Sequence, residues 1–448
     1  MFSVEEVRLN KNGWQNWSGS VSSTPSGVAY PRSVEEVVSL VKQCAAKGTR
    51  LRVVGSGHSF TGLVQTDELM VSLDLLQGVE SVDMDEGTAT VWAGTKLKRL
   101  GEELFEHGVA QENLGDINAQ SIAGAVSTGT HGTGIGFGSL STQLAGITAV
   151  TAAGEVVECS ADRQPELFRA MRVSLGMLGI IVQVKLRVVP ALPLRYESRR
   201  MPFDECLRQL ERLKTENRHF EFYWFPYTNI AQVKTMNETE EKPGKPSRWN
   251  EWKVMAMENG VFWLLSEACR LFPGLCRPVS RLSAKGVPNV REVGYGHRLF
   301  ATPRLVRFQE MEYNVPADAM KPVLAEIRSC VERNRFAVHF PIECRYVKGD
   351  DIWLSPAYRR DSAYIAVHMY RGMPYERYFA CLEEIFQHHG GRPHWGKMHT
   401  MRAERLAAAY PMWNEFLRIR EGLDPQGMFV NSYLSELIGI ERKRLSPV

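Results

Sequence analysis

The chain has 448 residues, 44% of them hydrophobic and 23% charged, the make-up of an ordinary soluble globular protein long enough to form two cores. Its formal net charge of +3 argues against a nucleic-acid or anionic-membrane partner. Eight cysteines at 44, 159, 206, 269, 276, 330, 344 and 381 form no C-x-x-C pair and read as buried thiols of a reducing compartment.

Met1 to Glu6 is charged and lacks the apolar run of a secretory signal, and the most apolar later stretch, around Val261 to Leu265, is too short to span a bilayer. The expected location is cytoplasmic, with no membrane association indicated.

In chain order, Ser33-Val34-Glu35-Glu36 is a capping box that opens a helix through about Ala46, stopped by Gly48. Leu51 to Val54 then reads as a short buried strand. It runs into Gly55-Ser56-Gly57-His58-Ser59-Phe60, where Gly55 and Gly57 allow positive φ and the close approach of another group. Successive amide N–H groups in such a turn make a concave anion site suited to a pyrophosphate. Strands near 70–73 and 88–93 follow, then a helix from about Lys96 to His107.

Gly124 to Gly138 is almost entirely Gly, Ala, Ser and Thr, with little side-chain bulk and many hydroxyl and amide donors, so it can lie against a large planar cofactor and its phosphates. Its glycine spacing does not match G-x-G-x-x-G, so an ordinary NAD-binding turn is not indicated. Ala145 to Val150 and Glu155 to Cys159 flank Ala153-Gly154 as a hairpin, Pro165 to Leu175 reads as helix, and Ile180 to Val189 as a long strand. The order implies a mixed α+β layer arrangement.

Pro190-Ala191-Leu192-Pro193 marks a boundary. Beyond it, Phe220 to Phe225 is an aromatic strand, and Asn237 to Asn250 a polar surface loop. Phe340 to Val347 alternates as a strand, which places Glu343 and Arg345 on one face. Ala363 to Met369 is another, ending with His368 and Tyr370 on a common side, and Gly390 to Lys397 follows. An acid, two bases and a fixed cation suit the oxidation of a hydroxylated carbon: one group takes the hydroxyl proton while a cation favours the developing oxyanion. Three alternatives stand beside this reading. Glu343 and Arg345 suit a cross-strand ion pair, His388, His389, His394 and His399 could hold zinc in a hydrolase, and the 220–227 aromatics could serve a flavin-free carbohydrate-binding protein.

The Gly55 to Phe60 loop, the Gly124 to Gly134 strip and His394-Trp395-Gly396-Lys397 together resemble the aldonolactone oxidases, a branch of the vanillyl-alcohol-oxidase type flavoproteins. Gly349 to Pro356 and Leu423 to Leu434 are similar to segments of the same family. The resemblance implies a two-domain fold: an FAD-binding domain over 1–190, completed by 398–448, and a substrate cap over 191–397 with an antiparallel sheet. It implies FAD bonded through His58, with Val54, Gly55, Ser56, Gly57, Ser59, Phe60, Ser121, Gly124, Val126, Ser127, Thr128, Gly129 and Thr133 along the cofactor. Ile181 falls near its adenine end and His394 on the far side of the ring system. Glu343, Arg345, His368 and Lys397 become the groups that act on substrate, and no metal is implied. The implied substrate is a sugar-1,4-lactone oxidised at C2, with an alditol as the alternative, and O2 or another acceptor takes the electrons.

Overall fold

The computed structural model describes residues 13–244, 256–301 and 305–441. Only the elements needed below are numbered. Three short strands, β1 (Gly27–Ala29), β2 (Leu51–Val54) and β3 (Leu69–Ser72), make a parallel sheet in the order β1-β3-β2. Helix α1 (Val34–Lys47) links β1 to β2, starting where Ser33 Oγ accepts from the Glu36 amide at 3.3 Å. It ends at Gly48, whose φ of 62° is a left-handed position that costs glycine little.

Beside this sheet lies an antiparallel one built from β4 (Val79–Asp83), β5 (Thr88–Trp92), β6 (Leu144–Val150), β7 (Val156–Ser160) and β8 (Ile180–Arg187), in the order β7-β6-β8-β5-β4. Helices α2 (Leu97–Glu106), α3 (Ile122–Ser127) and α4 (Pro165–Met171) are threaded between these strands. Helix α4 stops before the Leu175 expected from its sequence. Leu175 takes φ 53°, and its carbonyl and that of Gly176 accept from the buried Arg52 guanidinium at 2.8 and 2.9 Å. A far C-terminal segment completes this half: the Leu51 amide donates to Met428 O, and the Asn431 side chain donates to the carbonyls of Gly62 and Gln65.

The second half is one eight-stranded antiparallel sheet. Its strands are β9 (Pro193–Pro202), β10 (His219–Trp224), β11 (Ile230–Glu238), β12 (Val290–Tyr295), β13 (Phe308–Pro316), β14 (Ile342–Val347), β15 (Ser362–Tyr370) and β16 (Arg392–Pro393), in the order β12-β9-β11-β10-β14-β15-β13-β16. Helices α5 (Phe203–Glu216), α6 (Phe262–Leu271), α7 (Cys276–Gly286), α8 (Met320–Asn334) and α9 (Glu376–His388) accompany it.

The register decides which side chains share a face. Phe222, Cys344, Ile365 and Tyr313 stand in one row across the central strands, and their face packs on helices: Phe203 of α5 stacks on Trp224 at 4.8 Å, and Phe386 of α9 on Tyr313 at 5.2 Å. The next row, Tyr223, Glu343, Ala366 and Glu312, points the other way. That face is polar although buried, and it looks toward the first half of the chain. The polar stretch expected from Asn237 begins inside β11, and its residues 245–250 lie outside the described residues.

Candidate active site

The loop after β2 and the 120–128 segment form opposite walls of a groove enclosing about 980 Å³, its open side included. Val54, Gly55, Ser56, Gly57, His58 and Ser59 line one wall, and Ser121, Gly124, Ser127 and Thr128 the other, with Ile181 at the β8 end. The walls are close. A Cβ on Gly55 would sit 2.5 Å from Ser121 Oγ, and Gly57 has φ 67°. Phe60, Val126, Gly129, Thr133 and His394 are outside this lining. Thr133 Oγ1 bonds instead to Phe220 O, and His219 Nδ1 to Thr133 O at 2.9 Å, so the glycine-rich strip clasps the large sheet after it leaves the groove.

His58 lines the groove, its ring stacked on Trp17 at 5.8 Å. Burial, with Lys397 and Lys96 adding positive charge nearby, lowers its pKa to about 4, so the imidazole is neutral at pH 7. The Phe60 amide donates to Gly396 O at 2.7 Å, and Lys397 Nζ lies 5.1 Å above the Phe60 ring. One backbone bond thus ties the histidine loop to the lysine expected on the substrate face.

That face carries two charge arrays. In the first, Arg345 pairs with Glu343, with Glu221 at 2.9 Å and with Asp116 at 3.5 Å, and Tyr223 donates to Glu343 at 2.6 Å. Lys234 closes the far side of Glu221 at 3.3 Å. In the second, Lys397 Nζ and His368 Nε2 meet the two oxygens of Glu310, the latter at 3.5 Å. Burial alone would raise the Glu310 carboxyl, but Lys397 and then His368 hold it down to about 2. Behind it, His131 Nε2 lies 3.2 Å from Glu312, whose carbonyl accepts from the His394 amide. His394 Nδ1 accepts from the Gly396 amide at 3.0 Å, and burial drops its pKa to about 3. The Glu343 and Arg345 pairing allowed by their spacing is therefore present, embedded in a larger array.

Sequence reading missed Glu221, Tyr223, Lys234, Asp116, His131, Glu310 and Glu312. Phe308–Pro316 carries Glu310 and Glu312 two residues apart, the signal that Glu343 and Arg345 gave. The carbohydrate-platform alternative fails on burial: Phe220, Phe222, Tyr223, Trp224 and Phe225 are all inside, and the strand that holds the first four is central in the sheet. The four late histidines do not converge. His388 and His389 end α9, with His389 on exposed Glu326, while His394 joins the array above and His399 packs against Trp395.

Residues 184–437 match the family model of D-arabinono-1,4-lactone oxidase, and residues 25–160 match that of the FAD binding domain. An L-gulono-1,4-lactone dehydrogenase of Mycobacterium tuberculosis is 40% identical, over 95% of this chain and 99% of its own. The L-gulonolactone oxidase of Bos taurus is 33% identical over 95% and 98%. The chain belongs to the aldonolactone oxidase and dehydrogenase family. It is an FAD-dependent oxidoreductase. Cholesterol oxidase from B. sterolicum superposes with a TM-score of 0.82 over 96% of this chain and 97% of its own, at 19% identity, so it shares the fold. The two halves are accordingly the FAD-binding domain and the second domain with its large antiparallel sheet, as the resemblance implies.

The groove suits the family's cofactor. Gly55 and Gly94 add no side-chain bulk to the walls at two positions where a Cβ would sit 2.5 Å from Ser121 Oγ and 1.8 Å from Leu73 O. Ser59, Ser121, Ser127 and Thr128 bring hydroxyls to the lining for phosphate and ring heteroatoms. Among the described residues no helix is long and apolar enough to cross a membrane.

Proposed function

We propose that the protein oxidises a sugar-1,4-lactone at C2 to the 2-keto lactone, which tautomerises to the enediol, with FAD held in the Gly55–Thr128 groove and tethered through His58. The observation that carries this reading is the docking of the Lys397–Glu310–His368 array against the His58 loop by the Phe60 to Gly396 bond, with the Arg345–Glu343 array tied to the same half through Asp116. Bound FAD supplies the two-electron acceptor for the C2 hydrogen, and O2 or another oxidant takes the electrons onward.

The chain's own residues do the rest. His368 stands between Pro341 O, 3.3 Å from Nδ1, and the Glu310 carboxylate, 3.5 Å from Nε2, and is the group that takes the C2 hydroxyl proton. Once protonated, Nε2 faces the ionised Glu310 carboxylate, and that charge stabilises the imidazolium. Arg345 and Lys397 supply fixed positive charge to the oxygen from which the proton departs. Their carboxylate partners hold both side chains in place before substrate arrives, so little reorganisation accompanies the reaction. A neutral His58 imidazole keeps a lone pair for its bond to the 8α carbon of the flavin. An ammonium or imidazolium at that site could not form it.

Anaerobic mixing with a panel of aldono-1,4-lactones and alditols tests the assignment. Bleaching of the flavin by a lactone, with the 2-keto lactone or its enediol recovered, is the expected result. Bleaching by alditols alone would overturn it, and peroxide formed on readmitting air reads the acceptor.

A further inference from the structure

Away from the groove, three soft ligand groups converge in the second domain. Cys269 lies near the end of α6, Cys276 opens α7, and His339 lies just before β14. All three are fully buried, and a sulfur of each cysteine and a ring nitrogen of the histidine lie within 4.8 Å of one another. Cys276 Sγ is 3.9 Å from His339 Nδ1, and His339 Nε2 is 2.9 Å from the buried Ser266 Oγ of α6. The flavin site makes no use of this cluster.

We propose that Cys269, Cys276 and His339 form a zinc(II) site that clamps α6 and α7 to the segment leading into β14. Ser266 does what outer partners of metal-bound histidines do: as acceptor for Nε2–H it fixes the tautomer and leaves the Nδ1 lone pair aimed at the sulfurs. Two thiolates and a neutral imidazole are a ligand set that zinc takes readily, with water completing the tetrahedron. Charge favours the same ion. Both thiols lose their protons to solvent as it enters, and two thiolates with one divalent cation leave the buried triad neutral, whereas a monovalent ion would leave a net negative charge. Entry is short. Cys269 is followed by exposed Arg270 and Cys276 is preceded by exposed Leu275, so the site lies one layer beneath the surface.

The test uses the full-length flavoprotein, reduced, loaded with zinc chloride and desalted, with metal counted by mass spectrometry. About one zinc per chain is expected in the wild type, with loss from Cys269→Ser and from Cys276→Ser. Cys159→Ser, at a lone buried thiol elsewhere, is expected to keep its zinc. Ser266→Ala is expected to bind about 10- to 100-fold more weakly. Should the serine variants fail to fold, cobalt(II) added to wild type decides: a thiolate-to-cobalt charge-transfer band supports the site and its absence overturns it. A reduced wild type that desalts free of metal overturns it too. So does a native Cys269–Cys276 disulfide found by peptide mapping.

Discussion

Replacing Arg345 by Met keeps the length of the side chain and removes its charge. The guanidinium is 9% exposed and sits among Glu343, Glu221 and Asp116, with Lys234 as the second cation of the array. Three carboxylates against two cations leave one net negative charge, and the substitution leaves two, in a place with little water to screen them. Breaking a buried pair from one side costs about 3–5 kcal/mol, which at roughly 2 °C per kcal/mol lowers the thermal midpoint by about 6–10 °C. Loss of one donor to the developing oxyanion costs a further factor of about 10²–10³ in kcat. Arg345→Met and Arg345→Lys are compared by thermal unfolding and by steady-state rates with a lactone that reduces the flavin. Arg345→Lys keeps the charge without the planar fork, so it falls between wild type and Met in both measurements. Adding Glu343→Leu to Arg345→Met removes a carboxylate that Arg345 no longer neutralises, so it recovers stability without recovering rate. A folded Arg345→Met variant that turns over within about threefold of wild type would refute a role for this cation in the reaction.

Acid precipitation of the wild type is expected to carry yellow colour into the pellet, while His58→Ala releases it all to the supernatant; free flavin from both removes the tether. Lys397→Met strips Glu310 of its nearest cation and is expected to lower kcat by about 10²-fold or more while flavin stays bound, read by turnover and by absorbance. Three histidines, 219, 394 and 399, are held neutral, chiefly by burial, at pKa values of about 4, 3 and 4. The unfolded chain takes up protons on them near 6.5 and the fold does not, so stability drops as pH falls from about 6.5 toward 4, by about 2 kcal/mol per histidine at pH 5. Glu310 adds a separate loss lower down, where it protonates between about 4.5 and 2. Thermal midpoints from about pH 7.5 to 5 check the histidine window, and His394→Asn should flatten the slope; an unchanged midpoint across it contradicts the burial argument. Gly132→Ala puts a Cβ 2.2 Å from Leu114 O, a backbone atom that cannot swing aside, so poor folding is expected where Gly136→Ala, in open space, is silent.

Local signals carried far in this chain. The serine cap and glycine stop of α1 could be placed because each is satisfied within a few residues. The glycine loops were legible for the same reason: absence of a side chain is a property of the sequence itself. Alternation in 340–347 and 363–369 set Glu343 beside Arg345 and His368 beside Tyr370, since a strand's period fixes its faces without knowledge of its neighbours.

Strand order and pairing partners had to come from the tertiary structure. Glu310 and Glu312 face Lys397 and His131 only because β13 pairs with β15 on one side and β16 on the other, contacts spanning tens to hundreds of residues. Asp116 reaches Arg345 across the two halves, and the segment at 428–431 returns to the β2 loop, for the same reason. Sequence determined which residues could line a flavin groove and which could carry charge on a sheet face. Only the packing of one sheet face against the other half of the chain decided that those charges are buried together, because burial and pairing are properties of the neighbours a side chain acquires on folding.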